Sequence, residues 1–347
     1  MKFHTLLVSL TAALALPAYA QQNPPLAPGG DTPSSGANGE PNAAAAREAL
    51  KKKEGDTDQA TLLKQTLTAV DRQYSLIKRD KLRVTYDLSY TYIGQEKINA
   101  NFSSGTLTLF NLENDSSHTI TNTLSADYGL ADNLTGSLSV PVVSKYSENP
   151  TYQGLSNSLG DIGLGARWQP VEVQHDRPSM TYIGTLRLPT GRSPFKVDAN
   201  KGLATGAGVG SLTAGMNVNH IVDPVALFGS VNLTASVPAK HLSQVRGDQT
   251  LNKVAPGLSF GFGMGFAYAL SYNISTSFSV QEMISAGTKL TFKDGSTLKT
   301  KTQTSGVLNL GLGYRVSPKT TVNVSVGIGL TVDSPNLIIG MTIPLEF

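Results

Sequence analysis

Leu337-Ile338-Ile339-Gly340-Met341-Thr342-Ile343-Pro344-Leu345-Glu346-Phe347, at the C-terminus, is the stretch whose reading decides the fold. Leu337, Ile339, Met341, Ile343, Leu345 and Phe347 share one side of a period-2 strand. Gly340, Thr342, Pro344 and Glu346 share the other, with Ile338 the exception. In a soluble domain one face packs into a core and the chain end is normally polar and frayed. In a barrel held in lipid, the apolar face is the outside and small polar residues face the lumen. The last strand therefore predicts a membrane β-barrel, and the rest of the chain tests it.

Composition agrees. Hydrophobic residues make up 39% and mean hydropathy is -0.10, too low for a bundle of membrane helices. Beyond the first twenty residues no run approaches the roughly 18 apolar residues a spanning helix needs. Alternating membrane strands dilute their hydrophobicity with lumen residues, so this average suits a barrel. The 34 glycines speak against a helix-rich protein. With 0 cysteines there is no disulfide framework, thiolate metal site or thiol nucleophile. A net charge of +3 gives no reason to expect nucleic-acid binding.

Met1 to Ala20 carries Lys2, an apolar core from Leu6 to Leu16 and the small-x-small exit Ala18-Tyr19-Ala20. It reads as a secretory signal peptide cleaved after Ala20, which with a barrel implies the outer membrane of a Gram-negative type of envelope. Residues 21–45 are rich in Pro, Gly, Asn, Ser and Ala, and predict a disordered periplasmic tether. Residues 46–80 turn helical in composition. Ala60, Leu63, Leu67, Val70, Tyr74 and Ile77 are spaced alternately three and four apart and form one stripe. A short amphipathic helix docked on the barrel, a helix plugging the lumen, and an oligomeric coiled coil all fit that stripe.

The barrel itself is expected over 82–347. In its first strand Leu82, Val84, Tyr86, Leu88, Tyr90 and Tyr92 alternate with Arg83, Thr85, Asp87, Ser89 and Thr91. A one-residue slip would turn Arg83 to lipid at roughly 2–4 kcal/mol near the midplane, so the register specifies itself. Similar alternation recurs at about 118–128, 134–143, 161–169, 180–188, 209–220, 225–237, 258–270, 274–284, 307–316 and 322–332. From the second strand on, short turns alternate with long loops, among them 145–160, 189–208 and 238–256. Residues 285–303 read as a hairpin turned at Asp294-Gly295. With the closing strand the count is twelve: an all-β, 12-stranded antiparallel transmembrane barrel.

The inward face is dominated by Gly, Ser, Thr and Ala, too small to fill a twelve-stranded lumen, which favours a pore. Arg83, Asp87, Asp127, Asp161, Arg167, Arg187 and Arg315 are its charges, either a gate or groups bonded across neighbouring strands. Twelve-stranded lipases of this membrane use a Ser/His pair, but His118, His175, His220 and His241 show no pairing with a nucleophile. No cofactor or metal spacing is present, and no enzyme is expected.

Ser139-Val140-Pro141-Val142-Val143, Gly160-Asp161-Ile162-Gly163-Leu164-Gly165, Leu188-Pro189-Thr190-Gly191 and Asp223-Pro224-Val225-Ala226-Leu227-Phe228-Gly229-Ser230 together resemble the outer-membrane channel family first associated with the phenol meta-cleavage pathway. Within it, Gly265-Phe266-Ala267-Tyr268-Ala269-Leu270 and Ser277-Phe278-Ser279-Val280 are most similar to the functional-amyloid secretion pores of the Fap system. That resemblance implies a trimer, a periplasmic coiled coil, a plug helix, amyloid subunits as cargo, and Phe347 as the signal presented to the barrel-assembly machinery. It makes secretion of an unfolded, amyloid-forming polypeptide through a helix-gated pore the leading expectation. Uptake of small hydrophobic or aromatic compounds is the alternative, and a structural barrel without transport the third.

Overall fold

The computed structural model describes residues 76–103, 106–149, 152–171, 177–197, 203–222, 225–246, 249–271, 273–317 and 320–345. Its strands are β1 (Leu82–Ser103), β2 (Thr106–Ala131), β3 (Leu134–Asn149), β4 (Tyr152–Leu159), β5 (Ile162–Trp168), β6 (Ser179–Leu188), β7 (Ser211–Val222) and β8 (Val225–Ser236). Then come β9 (Val245–Arg246), β10 (Gln249–Ala255), β11 (Ser259–Ala269), β12 (Ile274–Ser285), β13 (Lys289–Phe292), β14 (Thr297–Lys299), β15 (Gln303–Arg315), β16 (Thr321–Gly329) and β17 (Leu337–Leu345).

Thirteen of these pair in the order β2-β1-β17-β16-β15-β12-β11-β8-β7-β6-β5-β3-β4, and the pairing of β2 with β3 closes the ring. β4 and β5 lie end to end along β3, which pairs Val142–Asn149 with β4 and Leu134–Ser139 with β5. They form one stave, interrupted at Gly160-Asp161, so the barrel has twelve staves, as the alternation predicts. β17 closes on β1 from Val84↔Leu345 to Tyr92↔Leu337 without a register shift. Pro344 lacks an N–H, which makes a bulge or relaxed pairing the expectation there. The ladder to β1 runs through it unbroken, while the ladder to β16 ends at Thr342.

Period-2 alternation sorts the faces. On β11, Met264 is 63% exposed while Ala267 is 1% exposed. Outward rows are apolar across strands, as in Leu227–Phe266–Phe278–Leu310–Val326. Aromatic rings gather at both ends of this band. Tyr128, Trp168, Tyr182, Tyr268 and Tyr314 sit near the short-turn ends of their strands, with Trp168 and Tyr182 rings 5.8 Å apart. At the other end His118 packs against Tyr92 at 5.0 Å, and its Nδ1 lies 2.8 Å from the Tyr90 hydroxyl. Ten residue steps from Leu82 to Tyr92, at about 3.3 Å rise and about 40° tilt, give a band about 25 Å tall, the height expected of an outer-membrane barrel. No helix among the described residues is long and apolar enough to cross a membrane; the strands do the crossing.

Several predicted loops are ordered. The connection between the first two strands is a hairpin extension reaching Ser103 and Thr106, and 145–160 continues β3 into β4. A second sheet, β14-β13-β10-β9, stands above the barrel on the long-connection side. Leu242, Leu251, Val254, Leu290 and Phe292 form its core, with Phe195 and Ala239 against it. Gly295 turns β13 into β14 with φ +87, the left-handed value for which the Asp-Gly turn was read.

The helical reading of 46–80 is corrected at its end: residues 76–81 are not helical. The Ile77 amide donates to the Thr135 hydroxyl (2.9 Å), and Asp80 adopts φ 59, which no helix tolerates. The signal peptide, the tether, Leu63, Leu67, Val70, Tyr74 and Phe347 lie outside the described residues.

Candidate functional site: the barrel lumen

The seven inward charges divide into groups set by strand height. Arg83, Asp87, Asp127 and Arg167 lie near the periplasmic ends of β1, β2 and β5 and come together as a belt. Asp127 stands opposite Arg83 on β1 and is bonded to Arg167 at 2.7 Å, the two side chains only 15% and 11% exposed. Asp87 accepts a hydrogen bond from the Thr342 hydroxyl (2.6 Å) across the closing seam. Two arginines and two aspartates make the belt formally neutral. Bonding across strands accounts for Asp127 with Arg167 and for Asp87 with Thr342.

The other three charges are elsewhere. Arg315 sits at the periplasmic end of β15, where its Nε donates to the Ser317 carbonyl (3.2 Å). Asp161 lies at the break between β4 and β5, and its carboxylate accepts from the amides of Gly191 (3.0 Å) and Ala207 (2.7 Å). It anchors the connection between β6 and β7. Arg187 faces inward at the extracellular end of β6 and is exposed.

The belt's Asp87, Asp127 and Arg167 line a cavity of about 640 Å³, together with Phe228 and many hydroxyl and amide side chains, among them Ser125, Ser139, Ser277, Asn309 and Ser325. A second, of about 460 Å³, lies against β6–β8 and β11–β15. The lumen is not uniformly polar. Phe228 faces inward over Gly265 and packs beside Ala226 and Ala267, and Ile183 lines the second cavity. The sequence reading did not single these out, although by its own parity on β8 Phe228 falls opposite Leu227 and Val231. Apolar side chains thus enter both cavities, Phe228 the first and Ile183 the second.

The segment before β1 enters this lumen at its periplasmic end. Ile77 is 5% exposed and Thr135, the inward residue it meets, is 0% exposed. The Asp80 amide donates to the Gly129 carbonyl and the Gly129 amide to that of Lys81 (2.9 and 3.0 Å). A Cβ at Gly129 would stand 2.7 Å from the Ile77 carbonyl oxygen and closer still to that of Lys78. Glycine is what lets the chain lie on the floor. Of the predicted helix stripe, Ile77 alone is among the described residues, and it belongs to this floor.

Among solved structures, an outer membrane channel from Pseudomonas putida F1 matches 78% of this chain and 97% of its own, with 13% identity and TM-score 0.56. The translocator domain of the autotransporter NalP from Neisseria meningitidis matches 88% and 98%, with 13% identity and TM-score 0.45. The TodX monoaromatic hydrocarbon channel, as a deletion mutant, matches 76% and 88%, with 10% identity and TM-score 0.40. The first of these likenesses establishes the fold as that of an outer-membrane barrel. Residues 118–347 match the family described as "Putative MetA-pathway of phenol degradation", and with about two thirds of its length inside that match the chain belongs to this family.

Proposed function

We propose that this protein is an outer-membrane channel that admits small aromatic or other predominantly hydrophobic compounds, with the segment before β1 as its periplasmic gate. The observation that carries this reading is the unfilled lumen of mixed polarity. Cavities of about 460 and 640 Å³ fall within the roughly 300–1,000 Å³ typical of small-molecule sites. A phenol-like solute has one apolar body and one hydroxyl, matching cavities that each mix apolar side chains, Phe228 in one and Ile183 in the other, with hydroxyl and amide groups. The family description, which refers to phenol degradation, supports the same class of solute. Secretion of an unfolded amyloid-forming polypeptide, the leading expectation from the sequence, draws no support from the lumen or from the comparisons, and the alternative now leads.

Gating is supported by Ile77 and Lys78, which rest on Gly129 and Thr135 at the floor. The test is liposome uptake of phenol and of glucose by the full chain and by a chain lacking 21–76. Phenol entry above the protein-free rate, faster again on deletion, is expected. Equal rates in the two chains would sink the gate, and phenol entry no faster than in empty liposomes would sink the channel.

A further inference from the structure

We propose that the extracellular mouth contains an anion-recognition site, built from Lys145 and Arg192 around Ser156, that takes the carboxylate of a small solute. It rests on the channel reading for the solute's onward route and deepens it by naming the solute's charge.

Lys145 lies on the inward face of β3, directly opposite Ser156 on β4. Arg192, from the connection after β6, reaches back so that its Nη1 donates to the Ser156 hydroxyl at 2.9 Å. Ser156 is 3% exposed while Arg192 is exposed, so the serine holds the guanidinium and leaves its other N–H groups to the lumen. Antiparallel partners stand about 5 Å apart at Cα, which puts the Lys145 ammonium within reach of the same point. Among the described residues that ammonium has no hydrogen-bond or ion-pair partner.

Nearby carboxylates do not neutralise the pair. Asp161 accepts from the Gly191 and Ala207 amides, and Glu148, on the opposite face of β3, accepts from the Tyr146 hydroxyl and the Gln153 amide. A guanidinium and an ammonium beside one serine, neither bonded to a carboxylate, match a carboxylate, which the planar guanidinium binds through two N–H groups.

The surroundings raise the local concentration of anions. The connections 189–210, 237–258 and 285–303 hold ten basic and three acidic residues, and the other long connections, 93–117, 145–160 and 330–336, hold two and five, so the mouth carries twelve basic against eight acidic residues, net +4. Lys289 and Lys299 even stand directly opposite one another in the β13–β14 hairpin, a pairing that like-charge repulsion disfavours. A net positive mouth draws anionic solutes toward its opening. The belt below is neutral, so the preference is imposed at entry.

Fluorine NMR titration of 4-fluorobenzoate and 4-fluorobenzyl alcohol into the full chain in detergent tests the site. The acid is expected to bind the wild type more tightly than the alcohol. Lys145→Gln and Arg192→Gln should each weaken the acid about tenfold, since one charge-assisted hydrogen bond is removed. Arg192→Lys should retain most of the affinity, and Lys301→Gln, which removes one charge away from the site, should stay within about twofold of the wild type. Equal affinity for acid and alcohol in the wild type would overturn the proposal whether or not the variants fold. So would wild-type affinity in folded Lys145→Gln and Arg192→Gln. Acid binding without liposome flux would refute the channel and leave the site standing; flux with no preference for the acid would do the reverse.

Discussion

Asp127→Asn is the substitution that most directly tests the belt. In the native lumen the Asp127 carboxylate lies 2.7 Å from Arg167 and opposite Arg83, and both members of the bonded pair are nearly out of contact with water. The variant keeps the shape of the side chain but leaves two guanidinium groups facing each other with one anion fewer. Breaking a buried pair on one side costs about 3–5 kcal/mol, and because this wall borders an open cavity the lower figure applies. With a urea slope of about 2–3 kcal/mol/M, a loss of about 3 kcal/mol moves the unfolding midpoint down by about 1–1.5 M. Trp168 is the only tryptophan and the immediate neighbour of Arg167, so its emission reports unfolding where the change is made. Adding Arg167→Gln should recover part of the loss, because the orphaned cation is then gone. A midpoint shift below about 0.3 M, or a double variant whose loss equals the sum of the two single losses, would refute the claim that Asp127 and Arg167 act as a pair.

Gly129→Val should drive the chain at Ile77 and Lys78 off the floor, raising single-channel conductance while the urea midpoint changes little; unchanged conductance would remove that segment from the gate. Met264→Arg turns a charge to lipid on β11 and should destabilise by about 2–4 kcal/mol, seen as lost gel heat-modifiability, whereas Ser277→Arg on the lumen face should cost far less. Equal losses would invert the assignment of faces. Leu251→Ala removes a fully buried side chain from the cap core, at about 2–5 kcal/mol locally. Proteolysis within 238–257 should accelerate with the barrel intact, and collapse of the barrel would show that the cap is not a separate unit.

The twelve staves were legible because a lipid-facing strand must alternate over its whole membrane span, and a one-residue slip is costly. Legibility ended where lipid ends. Above the outer aromatic ring, β1 runs on through Gln95-Glu96-Lys97 and β3 through Ser144-Lys145-Tyr146-Ser147-Glu148. There polar residues occupy both parities of the sequence and the alternation that marks a strand disappears. The cap sheet was hidden for a different reason. β9 is two residues long and β14 three, and the core gathers Phe195, Leu242, Leu251 and Leu290 from connections that are far apart in sequence. No window of the chain contains that core.

For the lumen, parity gave the face of each charge and said nothing of its partners. Asp127 and Arg167 lie on staves that do not touch; β3 runs between them, and their bond is a diagonal fixed by the registers Asp127↔Ser137 and Thr135↔Arg167. Height, however, can be counted from the nearest turn. Arg83, Asp87, Asp127 and Arg167 each fall within six residues of a strand's periplasmic end, while Lys145, Arg187 and Arg192 lie toward the long connections. The two ends then differ in a way that matters for transport. Within the belt two arginines are matched by two aspartates, while Arg315 stands apart at the end of β15. At the mouth the basic residues outnumber the acidic ones, and the excess meets the solute first. If the proposed gate and anion site both hold, charge is selected at the entrance and the belt beside the segment before β1 stays balanced, which a lumen of one sign throughout would not provide.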